Sequence, residues 1–189
     1  MVIKKTAQIM AVIAWLASSI CMIQAEPGVD YDELDEGVQV SEDFFLYRID
    51  DSGAAEITGY LGTAANLQIP AVLEGYAVTS IGEKALNPRN CNRVALESVT
   101  VPEGIINIGK GAFSSQMSLV KIVLPNSLEE IGDEAFYWCS CLESLNLPDN
   151  VGKIGVDIAV GCDELVIRIM DNDYAIQYCQ DNGIVYSRG

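Results

Sequence analysis

Apolar residues recur along the chain in a pattern that repeats at a constant spacing. In residues 119–125 and again in residues 142–148, leucine or isoleucine follows the arrangement L-x-x-L-x-L and a proline ends the unit. Residues 96–102 keep the arrangement with valine at the later positions, and residues 67–70 preserve its last part. The alternation is typical of a short strand with one buried face. Each unit therefore predicts a strand that ends at its proline, which cannot donate to a backbone ladder.

Two further markers follow each proline, at constant distances in the last three units and after extra residues in the first, between Pro70 and Ile81. The first is an Ile-Gly pair, and the second is an Ala-Phe or Ala-Leu pair that degenerates in the last unit. The Ile-Gly pairs lie at residues 81–82, 108–109, 131–132 and 154–155, and the second pairs at residues 85–86, 112–113, 135–136 and 158–159. The last three Ile-Gly pairs are evenly spaced, whereas the interval between the first two is longer. We expect the difference to be a loop around residues 87–93.

A repeat of about 23 residues predicts a solenoid. A coil of this length cannot bury its own apolar side, so stacking must place each leucine or isoleucine against its equivalent in the next coil, in about four to five coils. The strands then pair in parallel from coil to coil. We expect the glycine of each Ile-Gly pair to form a tight bend that a side chain would obstruct. The Ala-Phe pairs are expected to fill the outer layer of the core.

These markers resemble the leucine-rich repeats of the BspA-like type, which are common in bacterial surface proteins and occur in some protozoan parasites. Residues 135–139 match an Ala-Phe-x-x-Cys element of that family. The resemblance covers about three quarters of the chain, from residue 44 to the C-terminus. It implies a right-handed leucine-rich-repeat solenoid of the α/β horseshoe class, mostly β with short turns or helical pieces on the convex side. It also implies adhesion to host or matrix proteins or contacts between microbial cells.

Both ends of the repeat region carry the patterns of capping elements. Residues 44–66 predict an N-terminal hairpin, in which two strand-like runs flank a turn cluster. The repeats then occupy residues 67–170, and residues 171–189 form a C-terminal cap. In that cap we expect Asp173 to be the N-cap of a short helix and residues 184–186 to add one last strand.

Residues 1–25 have the pattern of an export signal. Two lysines precede a run of apolar and small residues from 7 to 23, and we expect cleavage after Ala25. An uncleaved membrane anchor is the alternative, because a run of about 17 residues is at the short limit for spanning a bilayer. Lipidation of Cys21 is disfavoured, since Ile20 is larger than the residue that precedes a lipid-attachment cysteine.

Charge limits the partners that the chain can bind. There are 27 acidic and 11 basic residues, a net charge of −16, and eight of the acidic residues lie in residues 26–43. That segment has little apolar surface to bury, so we predict a flexible acidic spacer. A surface this negative repels phosphate groups, which argues against binding to nucleic acid or anionic lipid. We therefore expect contact with a membrane only through the N-terminal segment, if that segment stays uncleaved. Basic proteins and cations remain compatible, although solubility alone also accounts for an acidic surface.

The residue types that most catalytic and metal sites need are absent or scattered. The chain has no histidine, which removes Ser-His and Cys-His nucleophiles. Adjacent carboxylates at residues 129–130, 133–134 and 163–164 leave a carboxylate-based hydrolase as an alternative. The Asp-Asn-Asp run at residues 171–173 lacks the other ligands of a calcium loop, and helix capping accounts for it better. We therefore expect no enzyme activity, no cofactor and no metal.

Five cysteines follow the expected cleavage site. Cys139 and Cys162 are one repeat apart, so they occupy the same place in adjacent coils. Strand spacing puts such residues about 4.8 Å apart, within the range of about 4.4–6.8 Å that a disulfide accepts between Cα atoms. The family resemblance instead implies buried thiols that pack without a bridge. Both interpretations remain open from the sequence.

Two surfaces are candidates for binding. The outward positions of the strands form columns that suit a protein ligand, and we call them the strand face. The strand face comprises Gln68, Glu97, Ser98, Thr100, Val120, Lys121, Val123, Glu143, Ser144, Asn146 and Arg168. Tyr137 and Trp138 are bulkier than their equivalents in neighbouring coils and form a second candidate, an aromatic contact patch.

Together these patterns predict an exported, non-catalytic module that binds an extracellular or cell-surface protein. The chain would be secreted or held at the cell surface, and its ligand is not identified by the pattern. The main alternative is a structural protein that self-assembles through its sheet edges or its aromatic patch.

Overall fold

The computed structural model describes residues 37–189. The predicted signal segment, its cleavage site and the predicted spacer up to residue 36 lie outside the described residues. The described residues form the strands β1 (Gln39–Val40), β2 (Phe45–Ile49), β3 (Ala55–Tyr60), β4 (Asn66–Gln68), β5 (Val72–Leu73), β6 (Tyr76–Ile81), β7 (Ser98–Thr100), β8 (Asn107–Ile108), β9 (Lys121–Val123), β10 (Glu130–Ile131), β11 (Ser144–Leu147), β12 (Lys153–Ile154), β13 (Val166–Ile169) and β14 (Tyr186–Arg188). Helix α1 spans Asp173–Asp181.

Two sheets run along the molecule, and parallel pairing from coil to coil builds most of both. The first sheet has the order β1-β2-β3-β6-β8-β10-β12, with β5 paired to β6, and the second has the order β14-β13-β11-β9-β7-β4. In the second sheet Leu67 lies opposite Val99, and Val99 lies opposite Ile122. The inward apolar positions of successive coils are therefore in register. This arrangement confirms the predicted solenoid of parallel strands.

Each regular coil contributes two strands, where the sequence pattern predicted one. The Ile-Gly marker was interpreted only as a bend, but the isoleucine and the residue before it form a strand of the first sheet. Glu130 pairs with Asn107 in the preceding coil and with Lys153 in the next. A strand of two residues is too short to show an alternation of apolar and polar residues, so the sequence does not reveal it. Its hydrogen-bond partners come only from the adjacent coils.

The solenoid has about six turns, which is more than the four to five predicted. The difference arises at the two ends of the second sheet. At the N-terminal end, β4 pairs with β7 in spite of its shortened sequence unit, and at the C-terminal end β14 pairs with β13. Both terminal segments complete a turn because they reach a free strand edge whose backbone groups need partners.

An antiparallel hairpin of β2 and β3 forms the N-terminal end, and β3 then pairs in parallel with β6. Ahead of it, β1 pairs with β2, with Gln39 opposite Tyr47. The sequence analysis extended the flexible spacer to residue 43, and this boundary is wrong because residues 39–40 form a strand. A polar segment with little apolar surface can still be ordered by backbone hydrogen bonds to a free strand edge.

The Ala-Phe pairs fill the core as predicted. Ala112, Phe113, Ala135 and Phe136 are fully buried. The rings of Phe113 and Phe136 are stacked, with centroids 5.6 Å apart and planes inclined by 10°. Equivalent aromatic residues of adjacent coils thus contact each other directly, which makes the core continuous along the solenoid.

The glycines of the Ile-Gly pairs are required by the close approach of adjacent coils. A Cβ on Gly109 would lie 2.8 Å from the carbonyl carbon of Gly82, and one on Gly132 would lie 2.6 Å from the backbone nitrogen of Lys110. Neither Gly109 nor Gly132 has a positive φ. The prediction that a side chain would obstruct this place is correct, and the obstacle is the backbone of the preceding coil.

Asn172 is the N-cap of α1, and Asp173 is the first helical residue. The side-chain oxygen of Asn172 accepts a hydrogen bond from the backbone N–H of Ala175 (2.9 Å), and its Nδ2 donates to the carbonyl of Val151 (2.8 Å). The predicted cap, Asp173, was therefore wrong by one residue. An amide can accept from the helix and donate to the last coil at once, whereas a carboxylate can only accept.

Two tyrosines of α1 cover the open edge of the first sheet. The hydroxyl of Tyr174 accepts a hydrogen bond from the N–H of Ile154 (3.0 Å), and that of Tyr178 donates to the carbonyl of Gly155 (2.8 Å). The last strand, β14, begins at residue 186, two residues later than predicted. Within residues 37–189, no helix has the length and apolar character needed to cross a bilayer.

Candidate functional site

The second sheet places the predicted strand face in ordered columns. Gln68 lies opposite Thr100, and Thr100 lies opposite Val123. Asn146 and Arg168 continue the same column, and β14 adds Ser187 at its end. A second column contains Ser98, Lys121 and Ser144, with Asn66 before them and Val166 after them. The sequence analysis omitted Asn66, Val166 and Ser187, which lie in the irregular end units.

Every residue of the strand face is accessible to solvent. Ser98 and Ser144 are partly buried, and the other nine residues are exposed. Val120 and Val123 retain 48% and 42% of their surface, although both are apolar. Within the described residues, neither Lys121 nor Arg168 forms an ion pair. The strand face therefore offers apolar contacts, hydroxyl and amide groups, and charges of both signs to a partner.

A further outward column lies on the first sheet, and the sequence analysis did not identify it as a surface. It contains Ser80, Asn107, Glu130 and Lys153, each of which directly precedes the isoleucine of an Ile-Gly pair. Lys153 donates to Glu130 at 2.5 Å, and this hydrogen bond, together with the negative charge of Glu130, raises the pKa of Lys153. Beside them lies a shallow recess of about 560 Å³. Because Lys153 is already paired, this column offers fewer free charges than the strand face.

The aromatic patch lies on the outer turns, which we define as the segments that follow each Ile-Gly pair. Trp138 is 48% exposed and Tyr137 is partly buried, and their ring centroids are 6.4 Å apart. Trp138 has a φ of 58°, in the left-handed region. Its ring lies against the next coil, because a Cβ on Gly161 would come within 3.0 Å of the Trp138 Cγ.

A family model described as a BspA type leucine rich repeat region in six copies matches residues 65–180, which is more than half of the chain. The chain belongs to this family. A leucine-rich repeat protein from Bacteroides capillosus has a similar structure, with 30% identity and a TM-score of 0.60. The match covers 70% of this chain and 99% of that one. The resemblance inferred from the sequence is thereby confirmed.

Two other solved structures are similar to this BspA-type chain. The leucine rich repeat protein of T. pallidum is 26% identical, with a TM-score of 0.58, over 69% of this chain and 71% of that one. The pneumococcal vaccine antigen PcpA is 25% identical, with a TM-score of 0.51, over 67% of this chain but only 31% of its own length. Among curated protein sequences, none matches this chain.

Cys139 and Cys162 are buried free thiols in the BspA-type solenoid. Each donates to a carbonyl of the preceding coil: Cys139 to Phe113 (3.2 Å) and Cys162 to Phe136 (3.1 Å). Burial is the main cause that raises the pKa of both thiols, so they stay protonated at neutral pH. Their role in this arrangement is to satisfy backbone groups inside the core.

Asp133, one of the carboxylates considered for chemistry from the sequence, binds the backbone of the next coil instead, and so does Glu103, which the sequence did not single out. Asp133 accepts a hydrogen bond from the N–H of Val156 (2.9 Å). Glu103 accepts from the N–H groups of Asn126 (3.0 Å) and Ser127 (3.1 Å), and these hydrogen bonds lower the pKa of Glu103. Between residues 37 and 189 there is no group of three or more histidine, cysteine or acidic side chains that could hold a metal ion.

Proposed function

We propose that the chain is an exported, non-catalytic binding module that recognises a protein ligand through its strand face. The observation that carries the proposal is the ordered display of unpaired charged, polar and apolar side chains across one side of a six-stranded sheet. Leucine-rich-repeat families are generally non-catalytic. Solenoids of this kind use such extended surfaces for binding because no single coil encloses a pocket.

The middle of the strand face has the composition of an interface centre. β9 lies in the interior of the second sheet; the exposed Val120 directly precedes it and the exposed Val123 is its last residue. Glu97 on one side and Glu143 on the other supply charge around them. Protein interfaces commonly have an apolar core and a polar rim, and the rim governs orientation more than affinity. This arrangement favours a folded protein over a small molecule as the ligand.

We infer that this module works at the cell surface or after secretion, in adhesion or in contacts between microbe and host. The N-terminal pattern of the sequence supports export, with cleavage after Ala25. Similarity to the pneumococcal vaccine antigen PcpA is consistent with an accessible location, although this chain spans under a third of that protein.

Binding of the full chain to a panel of extracellular-matrix and cell-surface proteins tests the proposal. The test variant replaces Glu97, Lys121, Glu143 and Asn146 together by alanine. The matched control replaces Ser80 and Asn107, which form part of the outward column of the first sheet. We expect saturable binding that becomes at least about tenfold weaker in the test variant and unchanged in the control. Equal weakening in both variants would contradict recognition through the strand face.

Self-assembly is the second candidate, and the free edges of the second sheet favour it. β4 and β14 are the terminal strands of this sheet, and within the described residues each has a strand partner on one side only. Unpaired edges can join strands of other molecules. A stable oligomer in sedimentation experiments, together with no binding to any panel protein, would support assembly over ligand recognition.

A further inference from the structure

The outer turn of one coil carries a large aromatic side chain where the two adjacent coils have small residues. Trp138 occupies the same place as Ser115 in the preceding coil and Gly161 in the next. All three have a positive φ, of 64° at Ser115, 58° at Trp138 and 81° at Gly161. Bulky residues are rare in this backbone conformation, whereas glycine and small polar residues adopt it readily. The backbone of the repeat therefore gives no reason for tryptophan at this place.

The tryptophan ring is held in position and remains accessible. The N–H of Trp138 donates to the carbonyl of Val160 across 2.7 Å, which joins the two coils under the ring. Gly161 leaves room for the indole against the next coil, and Tyr137 packs at 6.4 Å with its ring inclined by 52°. Trp138 and Val160 are still 48% and 46% exposed. We call Tyr137, Trp138, Val160 and Gly161 the Trp138 corner.

The charge around the Trp138 corner is strongly negative. Residues 129–164 contain nine acidic residues, of which Glu143 belongs to the strand face, and one basic residue, Lys153, which is paired with Glu130. Lys110 of the preceding coil pairs with Glu134. In the outer turn of the Trp138 coil, the backbone carbonyl of Glu134 accepts a hydrogen bond from the backbone N–H of Tyr137. In the next coil, Asp157 occupies the place of Glu134, and its carbonyl accepts from the backbone N–H of Val160. Asp157 and Asp163 are exposed. A partner that covers this corner must compensate the negative charge.

We propose that the Trp138 corner is a second contact surface, which binds a lysine- or arginine-rich segment of a partner protein. A cationic side chain would stack on the exposed indole face, because tryptophan is the strongest cation–π acceptor among side chains. Neighbouring carboxylates would attract the remaining positive charges of the segment. The surface lies on the outer turns, apart from the strand face, so it does not depend on the ligand proposed for that face.

The test measures the affinity of the full chain for poly-L-lysine, with poly-L-glutamine as the uncharged probe. Trp138→Asn removes the ring, keeps the net charge and suits the left-handed φ. We expect poly-L-lysine to bind about three- to tenfold more weakly to this variant than to the original chain. The affinity of Trp138→Phe for poly-L-lysine should lie between those of the two proteins. Thermal unfolding of Trp138→Asn should occur at the same or a higher temperature, so weaker binding would not result from misfolding.

A matched control removes an exposed apolar residue from the other end of the solenoid. Val72→Ser, at a residue that is 56% exposed in β5, should leave the affinity for poly-L-lysine unchanged. Unchanged affinity in Trp138→Asn would overturn the proposal, because binding would then depend on diffuse negative charge alone. Equal binding of poly-L-glutamine and poly-L-lysine would also overturn it, since the corner would then not select a cation.

Discussion

The thiol of Cys162 donates a hydrogen bond to the backbone carbonyl of Phe136, one coil earlier, across 3.1 Å. Cys139 makes the equivalent contact with Phe113. One coil before that, Gln116 occupies the same place, and its Nε2 donates to the carbonyl of Leu86 at 2.8 Å. The common property of these residues is a buried donor, which a carbonyl facing the core requires.

Removal of that donor should destabilise the fold. Cys139→Ala removes one of the two donors to the carbonyl of Phe113, which keeps the backbone N–H of Gln116, and opens a small cavity, so we expect the free energy of unfolding to fall by about 1–3 kcal/mol. Cys139→Ser keeps a hydrogen-bond donor, so its free energy of unfolding should fall by less than that of Cys139→Ala. Urea unfolding of the three proteins measures the difference. An equal loss in the alanine and serine variants would show that packing alone matters at this place.

Reducing agent should leave the stability of the chain unchanged. Cys139 and Cys162 are both free thiols whose hydrogen atoms are engaged with carbonyl groups. A disulfide between them would raise the melting temperature in the oxidised state, because a bridge constrains the unfolded chain. We therefore expect the same melting temperature with and without dithiothreitol. A fall on reduction that disappears in Cys162→Ala would contradict the assignment of free thiols.

Stability should decline in alkaline solution. Burial raises the pKa of the Cys91 thiol from its ordinary 9.0 to about 12. Above pH 9 the unfolded chain loses a proton that the folded chain keeps, so this contribution is complete below pH 9 and is lost as the pH rises to about 12. The slope reaches about 1.4 kcal/mol per pH unit from one such thiol. Chemical unfolding across this range measures it, and Cys91→Ala should reduce the slope.

The addition of one methyl group should destabilise the chain at one glycine and have almost no effect at another. Gly132→Ala places a Cβ against the backbone nitrogen of Lys110, and we expect destabilisation of about 1–3 kcal/mol or more because the obstacle is backbone. Gly152→Ala meets no atom within 4 Å and should change the stability by less than about 0.5 kcal/mol. Thermal unfolding compares the two. Equal behaviour would mean that adjacent coils can separate at the Ile-Gly pair.

The hydroxyl of Tyr178 should contribute to the stability of the C-terminal cap. Tyr178→Phe leaves the carbonyl of Gly155 without its donor at the last coil, so we expect a loss of about 1–2 kcal/mol. Tyr76→Phe, which removes an exposed hydroxyl in β6, is the matched control and should have little effect. The rate of amide hydrogen exchange at β12 provides a local measurement, and it should increase in Tyr178→Phe. An unchanged exchange rate there would argue against a capping role.

The sequence determined the repeat, the inward residues and the strand face. The spacing of Leu142, Leu145 and Leu147 already indicates which side chains point inward, because a strand alternates with period two. The buried Phe113 and Phe136 were identified from the recurrence of their pair at the same place in each unit. These features are local, since each depends on residues within one repeat unit, and the repetition of the unit supported every inference several times over.

The tertiary structure decided what depends on contacts between coils. Two-residue strands such as Glu130–Ile131 exist only because a neighbouring coil presents a free backbone edge, and no pattern within one coil records that edge. The same holds for the choice of Asn172 over Asp173 as N-cap and for the thiol donors in place of a disulfide. In each case the deciding partner lies about one coil away along the solenoid axis, outside the range over which a single unit of sequence carries information.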